Sequence, residues 1–273
     1  MPKLDLHTHS DRSDGTSAPA QIVQEALRRE VSVLALTDHD TASGCDEAAQ
    51  AAQAAGLPFV CGVEISTRQD DHLHILGLGI DPHAQAMAKA LDFAFEQRTE
   101  RVRITVKQLA EAGVDITFDA VNERVRGSIS RAHVADYLKS RGLAQTRQDA
   151  FRKFLVPGRP GYVHGTGLDV CAAIAAIKNS GGMAVIAHPG MVFSILDLPA
   201  WKTAGLDGLE AFYPAHTVTM TGKLLALADK YGLAVTAGSD YHGPDSGREN
   251  TVGMTLSERE FANMRAVLKK WNI

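Results

Sequence analysis

Short apolar stretches alternate with amphipathic ones along most of this chain, and that rhythm limits the fold before any single residue is considered. An extended segment begins at Lys3 in KLDLHTH, and Ser17 with Pro19 opens a helix through IVQEALRRE. VSVLALTDHD reads as a buried strand, SGCDEAAQAAQAAG as an alanine-rich helix closed by Gly56, and LPFVCGVEIST and HLHILGLGI as two further strands. Later come a helix in DVCAAIAAIKNSGG, strands in MAVIAHPG and DGLEAFYP, a helix in TMTGKLLALADKYG, a strand in LAVTAGSDYH and a closing helix from Ser257. Strands alternating with helices bury a parallel sheet under a helical layer, so the fold class is α/β, with seven strand candidates arranged as a β/α barrel. The 273 residues, 45% of them hydrophobic, suffice for one large domain or for a core domain carrying a smaller insert.

Residues 95–162 break the rhythm. TERVRITVKQLAEAG, ISRAHVADYLKSRG and TRQDAFRKFL are helical stretches with no buried strand among them. The barrel is therefore expected from residues 1–94 and 163–273, with 95–162 as a helical insertion covering its mouth. Residues 97–160 hold thirteen Lys and Arg against seven Asp and Glu, a balance of +6 in a chain whose net charge is −4, so the remainder carries −10. This basic segment is either a solvated helical surface or a face turned toward anionic groups. An acidic total weighs against a protein that coats nucleic acid non-specifically.

The three cysteines, Cys45, Cys61 and Cys171, are scattered and unpaired in spacing, as expected of a reducing compartment, and the cytoplasm is the expected location. The opening MPKLDLHTH lacks the apolar core of a secretion signal, and no apolar run is long enough to span a bilayer.

Metal-capable side chains recur at one place in the alternation. His7 and His9 project together from the end of the first strand, Asp38 and His39 end the second, and Glu64 ends the third. His188 ends AVIAH, Asp240 and His242 follow LAVTAG, and His74 lies in the fourth strand. In a β/α barrel, polar residues at the carboxyl ends of several strands converge on one mouth. His72, His83, His164 and His216 stand outside this pattern and read as surface or loop residues. So many carboxylates crowded together would repel unless cations balanced them. The donor set exceeds the needs of one tetrahedral zinc, and mixed His and carboxylate ligation suits zinc, manganese or iron rather than magnesium or calcium. Two or three divalent metals follow, with Glu64 placed to bridge.

The motifs HTHSDRSDG, TDHD, GVEIS, HLHILG, IAHPG and GSDYHG, in this order, resemble the PHP family, named for polymerase and histidinol phosphatase. The resemblance implies a distorted seven-stranded β/α barrel related to the amidohydrolases. It also implies a trinuclear site: His7, His9, Glu64 and Asp240 on one metal, Glu64, His74 and His188 on a second, and Asp14, His39 and His242 on a third, with manganese the first choice of metal. SRAHVADYL and GRPGYV are similar to the branch of nucleoside 3',5'-bisphosphate phosphatases and 5'-to-3' exoribonucleases, which carries a helical insertion at this place. By that resemblance Arg131 and His133 meet phosphate; Lys153, Arg159 and Tyr162 are weaker candidates for substrate contact, and Asp240 or His242 is available to protonate the leaving hydroxyl, a choice the sequence does not make. The expected reaction is loss of the 3'-phosphate from a nucleotide such as adenosine 3',5'-bisphosphate. Exoribonuclease action on short 5'-phosphorylated RNA, histidinol-phosphate hydrolysis and a metal-binding module without turnover are the alternatives. The expected partner is a nucleotide or a short RNA, with no membrane and no stable nucleic-acid complex; Phe151, Phe154, Tyr162, Phe193 and Tyr213 are all available to stack on a base.

Overall fold

The computed structural model describes residues 1–244, 246–248 and 250–273. Its strands are β1 (Lys3–Leu4), β2 (Leu34–Leu36), β3 (Phe59–Ser66), β4 (His74–Leu78), β5 (Met183–Ile186), β6 (Gly208–Phe212), β7 (Ala234–Ala237) and β8 (Met254–Thr255). Its α-helices are α1 (Pro19–Arg28), α2 (Cys45–Ala55), α3 (Gln85–Glu111), α4 (Phe118–Asn122), α5 (Arg131–Ser140), α6 (Arg147–Ala150), α7 (Val170–Asn179), α8 (Leu198–Thr203), α9 (Val218–Tyr231) and α10 (Glu258–Leu268). Pro19 takes the first position of α1, where its missing N–H costs nothing, and Gly56 closes α2 in the left-handed region. None of these helices is long and apolar enough to cross a membrane.

β2 to β7 form one curled six-stranded sheet in chain order, and β1 pairs separately with β8. The sheet is not wholly parallel, as the alternation suggested. β4 runs antiparallel to both β3 and β5, whereas β2 with β3, β5 with β6 and β6 with β7 are parallel. The reason lies in the connection: residues 67–73 alone separate β3 from β4, and a parallel return needs a crossover of roughly a dozen residues or more. The reversal puts the first residue of β4 at the mouth, with His74 opposite Ser66 at the end of β3.

Residues 5–9 join the two edges of the sheet. On one side Asp5 N donates to Val33 O at 2.9 Å and Thr37 N to Thr8 O at 2.9 Å; on the other Leu6 N donates to Ala237 O at 3.0 Å and His9 N to Tyr241 O at 2.8 Å. A parallel bridge between His39 and Glu64 extends the β2–β3 pairing to the mouth.

Three apolar cores are present among the described residues; one lies between α1, α2 and β2 and holds Ile22, Val23, Leu34, Leu36, Ala48 and Ala52, and the other two bear on the site. The larger contains the sheet and the inner faces of its helices, including Leu6, Val63, Ile75, Val185, Leu209, Ile174 and Met264. The smaller gathers Val102, Val106, Leu109, Ile116, Val134, Leu138 and Leu155 within the middle segment. α3 belongs to both, since Met87, Ala90 and Ala94 pack in the first core and Val102, Val106 and Leu109 in the second. The expected boundary at 94/95 thus falls inside one continuous helix rather than at a linker.

Candidate metal centre

Glu64, fully buried at the mouth end of β3, touches five imidazoles. Its Oε2 lies 3.1 Å from His7 Nε2, His9 Nε2 and His39 Nδ1, and its Oε1 lies 2.8 Å from His74 Nδ1 and 3.0 Å from His188 Nε2. Asp240 Oδ1 stands 3.1 Å from His9 Nε2 and 3.5 Å from His7 Nε2. Asp14 Oδ1 stands 3.2 Å from His242 Nε2 and 3.9 Å from His39 Nε2. All nine residues expected to hold metal therefore meet at one place. Their donor atoms form three groups, each within 4.8 Å: His7, His9, Glu64 and Asp240; His39, Glu64 and His74; and His9, Asp14, His39 and His242. The first group is the expected one, the third is the expected trio joined by His9, and in the second His39 takes the place expected of His188.

These side chains suit a cluster of divalent cations. His7 Nε2, His9 Nε2, His39 Nδ1, Glu64 Oε2, Asp14 Oδ1 and His242 Nε2 are buried and, despite their proximity, make no hydrogen bond. Each such orphan costs about 1–3 kcal/mol when nothing satisfies it. Imidazole and carboxylate donors converging in a closed space are the ligands that manganese, iron and zinc prefer.

A surrounding shell of buried carboxylates positions the donors. Glu210 Oε1 lies 3.0 Å from His7 Nδ1, and its Oε2 accepts the His188 main-chain N–H at 2.7 Å. Asp38 accepts from Ser10 N at 2.7 Å, Ser10 Oγ at 2.6 Å and Ser13 Oγ at 2.6 Å, so it braces the loop bearing Asp14 and is not itself a ligand. Asp5 accepts from Ser239 N at 2.9 Å and Ser239 Oγ at 2.6 Å just before Asp240. His188 and Asp240 both adopt left-handed φ, 31° and 55°, where a residue with a side chain is strained by about 1–3 kcal/mol. Gly238 must be glycine, because a Cβ there would lie 2.2 Å from the Cβ of His7 and 2.5 Å from Glu210 Oε1.

Burial and charge oppose each other across the cluster. Burial pulls the His7 imidazole down, but Glu210, Glu64 and Asp240 together hold it well above its usual pKa. His9 is likewise opposed by burial and is raised to about 9 by Asp240 and Glu64. Burial would raise Glu64, yet His39, His7 and His74 keep it well below the carboxylate range. Asp240 is also held well below, with burial outweighed by Arg248, His7 and His242. Burial and the charge of Arg248 push His242 down to about 4.

The contacts of Asp240 and His242 do not support the expected proton-donor role. Asp240 Oδ2 already accepts from Tyr213 Oη at 3.2 Å and from Arg248, and His242 Nδ1 pairs with the Asp240 carbonyl at 2.8 Å. Neither carries a free proton at neutral pH.

A cavity of about 480 Å³ opens over the cluster, with Arg98, Arg101, Arg131, Arg147, Arg152 and Arg248 in its walls. Arg131 Nη1 donates to Asp71 Oδ2 at 2.9 Å, and Arg101 Nη2 to Asp71 Oδ1 at 2.7 Å, so one carboxylate serves two guanidiniums. His133 is not in these walls. Its Nδ1 accepts the Ser130 main-chain N–H at 3.0 Å, completing a capping box at the start of α5, and the ring faces a separate cavity of about 960 Å³. Lys153 is half-exposed on Asp149 at 2.7 Å, and Arg159 is exposed on the turn that follows; neither lines the mouth. Tyr162 stands beside Asp71, with its hydroxyl 3.4 Å from His164 Nδ1. His72, placed among surface residues by sequence, does line the mouth. Sequence reasoning also missed Glu210, Asp71, Arg98, Arg101 and Arg248. A lone charge inside the apolar strand GLEAF was the available signal for Glu210; the arginines gave none.

A family model described as PHP domain matches residues 5–155. The chain is 40% identical over 263 residues to the 3',5'-nucleoside bisphosphate phosphatase of Chromobacterium violaceum, covering 93% of this chain and 92% of the relative. It is 36% identical over 251 residues to the 5'-3' exoribonuclease of Haemophilus influenzae, covering 89% and 90%. Among solved structures, an amidohydrolase from Chromobacterium violaceum with bound sulfate and no metal superposes with a TM-score of 0.87 at 36% identity, covering 98% of this chain and 95% of that one.

Proposed function

The chain belongs to the PHP domain family, and we propose that within it the protein is a metal-dependent phosphomonoesterase that removes the 3'-phosphate from nucleoside 3',5'-bisphosphates. One observation carries the reading: Asp14, His39, His74 and His242, drawn from the donor groups, line a cavity walled by arginines. The fold is a distorted seven-stranded barrel in which residues 5–9 count as a stave, with 95–162 inserted. Two or three divalent metals per chain, manganese first, would be held by His7, His9, Asp14, His39, Glu64, His74, Asp240 and His242, with His188 beside Glu64 as a further donor. Such cations would lower the pKa of a water and balance the charge of the phosphoryl oxygens.

The chain's own residues do the rest. Arg131 orients the phosphate through N–H groups beyond the one given to Asp71, since a guanidinium fork matches phosphate oxygens in pairs. Arg101 stands beside it for the second phosphate. A cavity of about 480 Å³ is in the range of small-ligand sites and accommodates a mononucleotide. Asp240 and His242 serve as ligands, which leaves solvent in the open mouth to protonate the departing sugar hydroxyl. Three free cysteines agree with a cytoplasmic enzyme.

Phosphate release from adenosine 3',5'-bisphosphate with manganese present is the test. Absent turnover there, with good turnover of histidinol phosphate, refutes the reading. The relative at 36% identity favours a second reading, exoribonuclease action on short 5'-phosphorylated RNA. Extension of the substrate by a few nucleotides separates the two, because a mononucleotide phosphatase loses more by it.

A further inference from the structure

Asp14 supplies the single carboxylate of the group formed with His9, His39 and His242, and it sits on a loop rather than on a strand. That loop is fastened to the barrel on either side of Asp14: Ser13 Oγ donates to Asp38 at 2.6 Å, and Thr16 N donates to the His242 carbonyl at 2.8 Å. Asp14 itself is held from the other direction. Arg147, the first residue of α6, donates Nη1 to the Asp14 carbonyl at 3.1 Å. Its Nε and Nη2 donate to Asp136 Oδ1 and Oδ2 on α5 at 2.8 and 2.5 Å. The guanidinium is planar, so a two-point grip by Asp136 sets the direction of the third bond. The Arg147 side chain is 10% exposed and forms part of the wall of both cavities.

We propose that Arg147 is a positioning residue for this third metal group. Held by Asp136, it fixes Asp14 through the main-chain carbonyl, so filling of the third group depends on the helical segment, while the two groups that share Glu64 do not depend on it. Neither Arg147 nor Asp136 is hydrogen-bonded to His7, Glu64, His74, His188 or Asp240 among the described residues. The proposal rests on the trinuclear form of the reading above, the larger of its two metal counts.

The test compares full-length wild type with Arg147→Met, Arg147→Lys and Asp136→Asn. Each is stripped with chelator, titrated with manganese, desalted and counted for metal by mass spectrometry, with thermal melts of the stripped proteins as the folding control. Wild type should hold three manganese ions and Arg147→Met two, with the last-bound ion weakened about 10- to 100-fold and the other two unchanged. Arg147→Lys should recover part of the loss, and Asp136→Asn should show a milder form of it. Three ions with unchanged affinities in Arg147→Met, or an equal weakening of all three, overturns the proposal while sparing the trinuclear reading. A wild type that holds only two overturns both. If Arg147→Met does not fold, Asp136→Asn decides by the same criteria, its carboxylate being 41% exposed and outside the barrel core.

Discussion

Replacing Glu210 by glutamine isolates what a buried carboxylate does when it is not itself a ligand. Glu210 is fully buried on β6, and its two oxygens serve two different ligands: Oε1 takes His7 Nδ1 at 3.0 Å, and Oε2 takes the His188 main-chain N–H at 2.7 Å. The first contact keeps the His7 proton on Nδ1 and so presents the Nε2 lone pair to the space between Glu64 and Asp240. The second fixes the strained backbone of His188. An amide keeps only one acceptor. With its oxygen toward His7, its NH2 meets the His188 N–H, donor against donor. Turned over, the NH2 demands a lone pair from Nδ1, which sends the proton to Nε2 and blocks the metal-facing atom. Either orientation leaves one buried donor unsatisfied or one ligand in the wrong tautomer, at about 1–3 kcal/mol. At about 1.4 kcal/mol per factor of ten, that is about a 5- to 150-fold loss of metal affinity. The assay is turnover as a function of added manganese: Glu210→Gln should shift half-saturation upward by that factor, with turnover at saturating manganese close to wild type. An unchanged midpoint would refute the claim that Glu210 orients His7.

Two more outcomes follow from the same geometry. Metal-free protein should lose stability as pH rises, because His9, raised to about 9 from 6.5, keeps in the folded state a proton that the unfolded chain gives up. That stabilisation is complete below 6.5 and lost through about 9, so melting temperatures of chelator-treated protein should fall across this window and manganese addition should release protons; melting temperatures that rise there would contradict it. Arg131→Ala should raise KM for the bisphosphate about 10- to 100-fold, the worth of a charge-assisted hydrogen bond, with metal content unchanged; an unaltered KM would remove Arg131 from phosphate recognition.

Most of the proposed ligands were legible because they sit at a fixed phase of the alternation. His7 and His9 share a strand face, and His39, Glu64, His188 and Asp240 each follow an apolar strand, so periodicity alone brings them to one mouth. His74 was legible for a reason that the parallel reading missed: it begins its strand, and only the reversal of β4 places it beside Glu64. Asp14 is on a loop, so only the family motif marked it. His133 was misread because SRAH also spells a helix start, in which Ser130 and a residue three further on cap each other. The arginines differ in kind. Arg98, Arg101, Arg131 and Arg147 reach the mouth from α3, α5 and α6, and their arrival depends on how the helical segment sits on the barrel. A helix sequence records which face is apolar but not what its charged face confronts.

α3 supplies the missing constraint. As 27 continuous residues it is a rod of about 40 Å whose first half packs in the core around the sheet and whose second half packs in the core of the helical segment. No linker intervenes at its crossing from one core to the other, and there Arg98 Nε grips Asp40 at 2.9 Å and Arg101 Nη2 grips Asp71 at 2.7 Å, both of which belong to the barrel. The helical segment is therefore oriented by a rigid element pinned at the rim of the mouth. Its arginines share one fixed frame with the ligands at the strand ends, which is the condition for holding a phosphate against a metal cluster rather than merely near it.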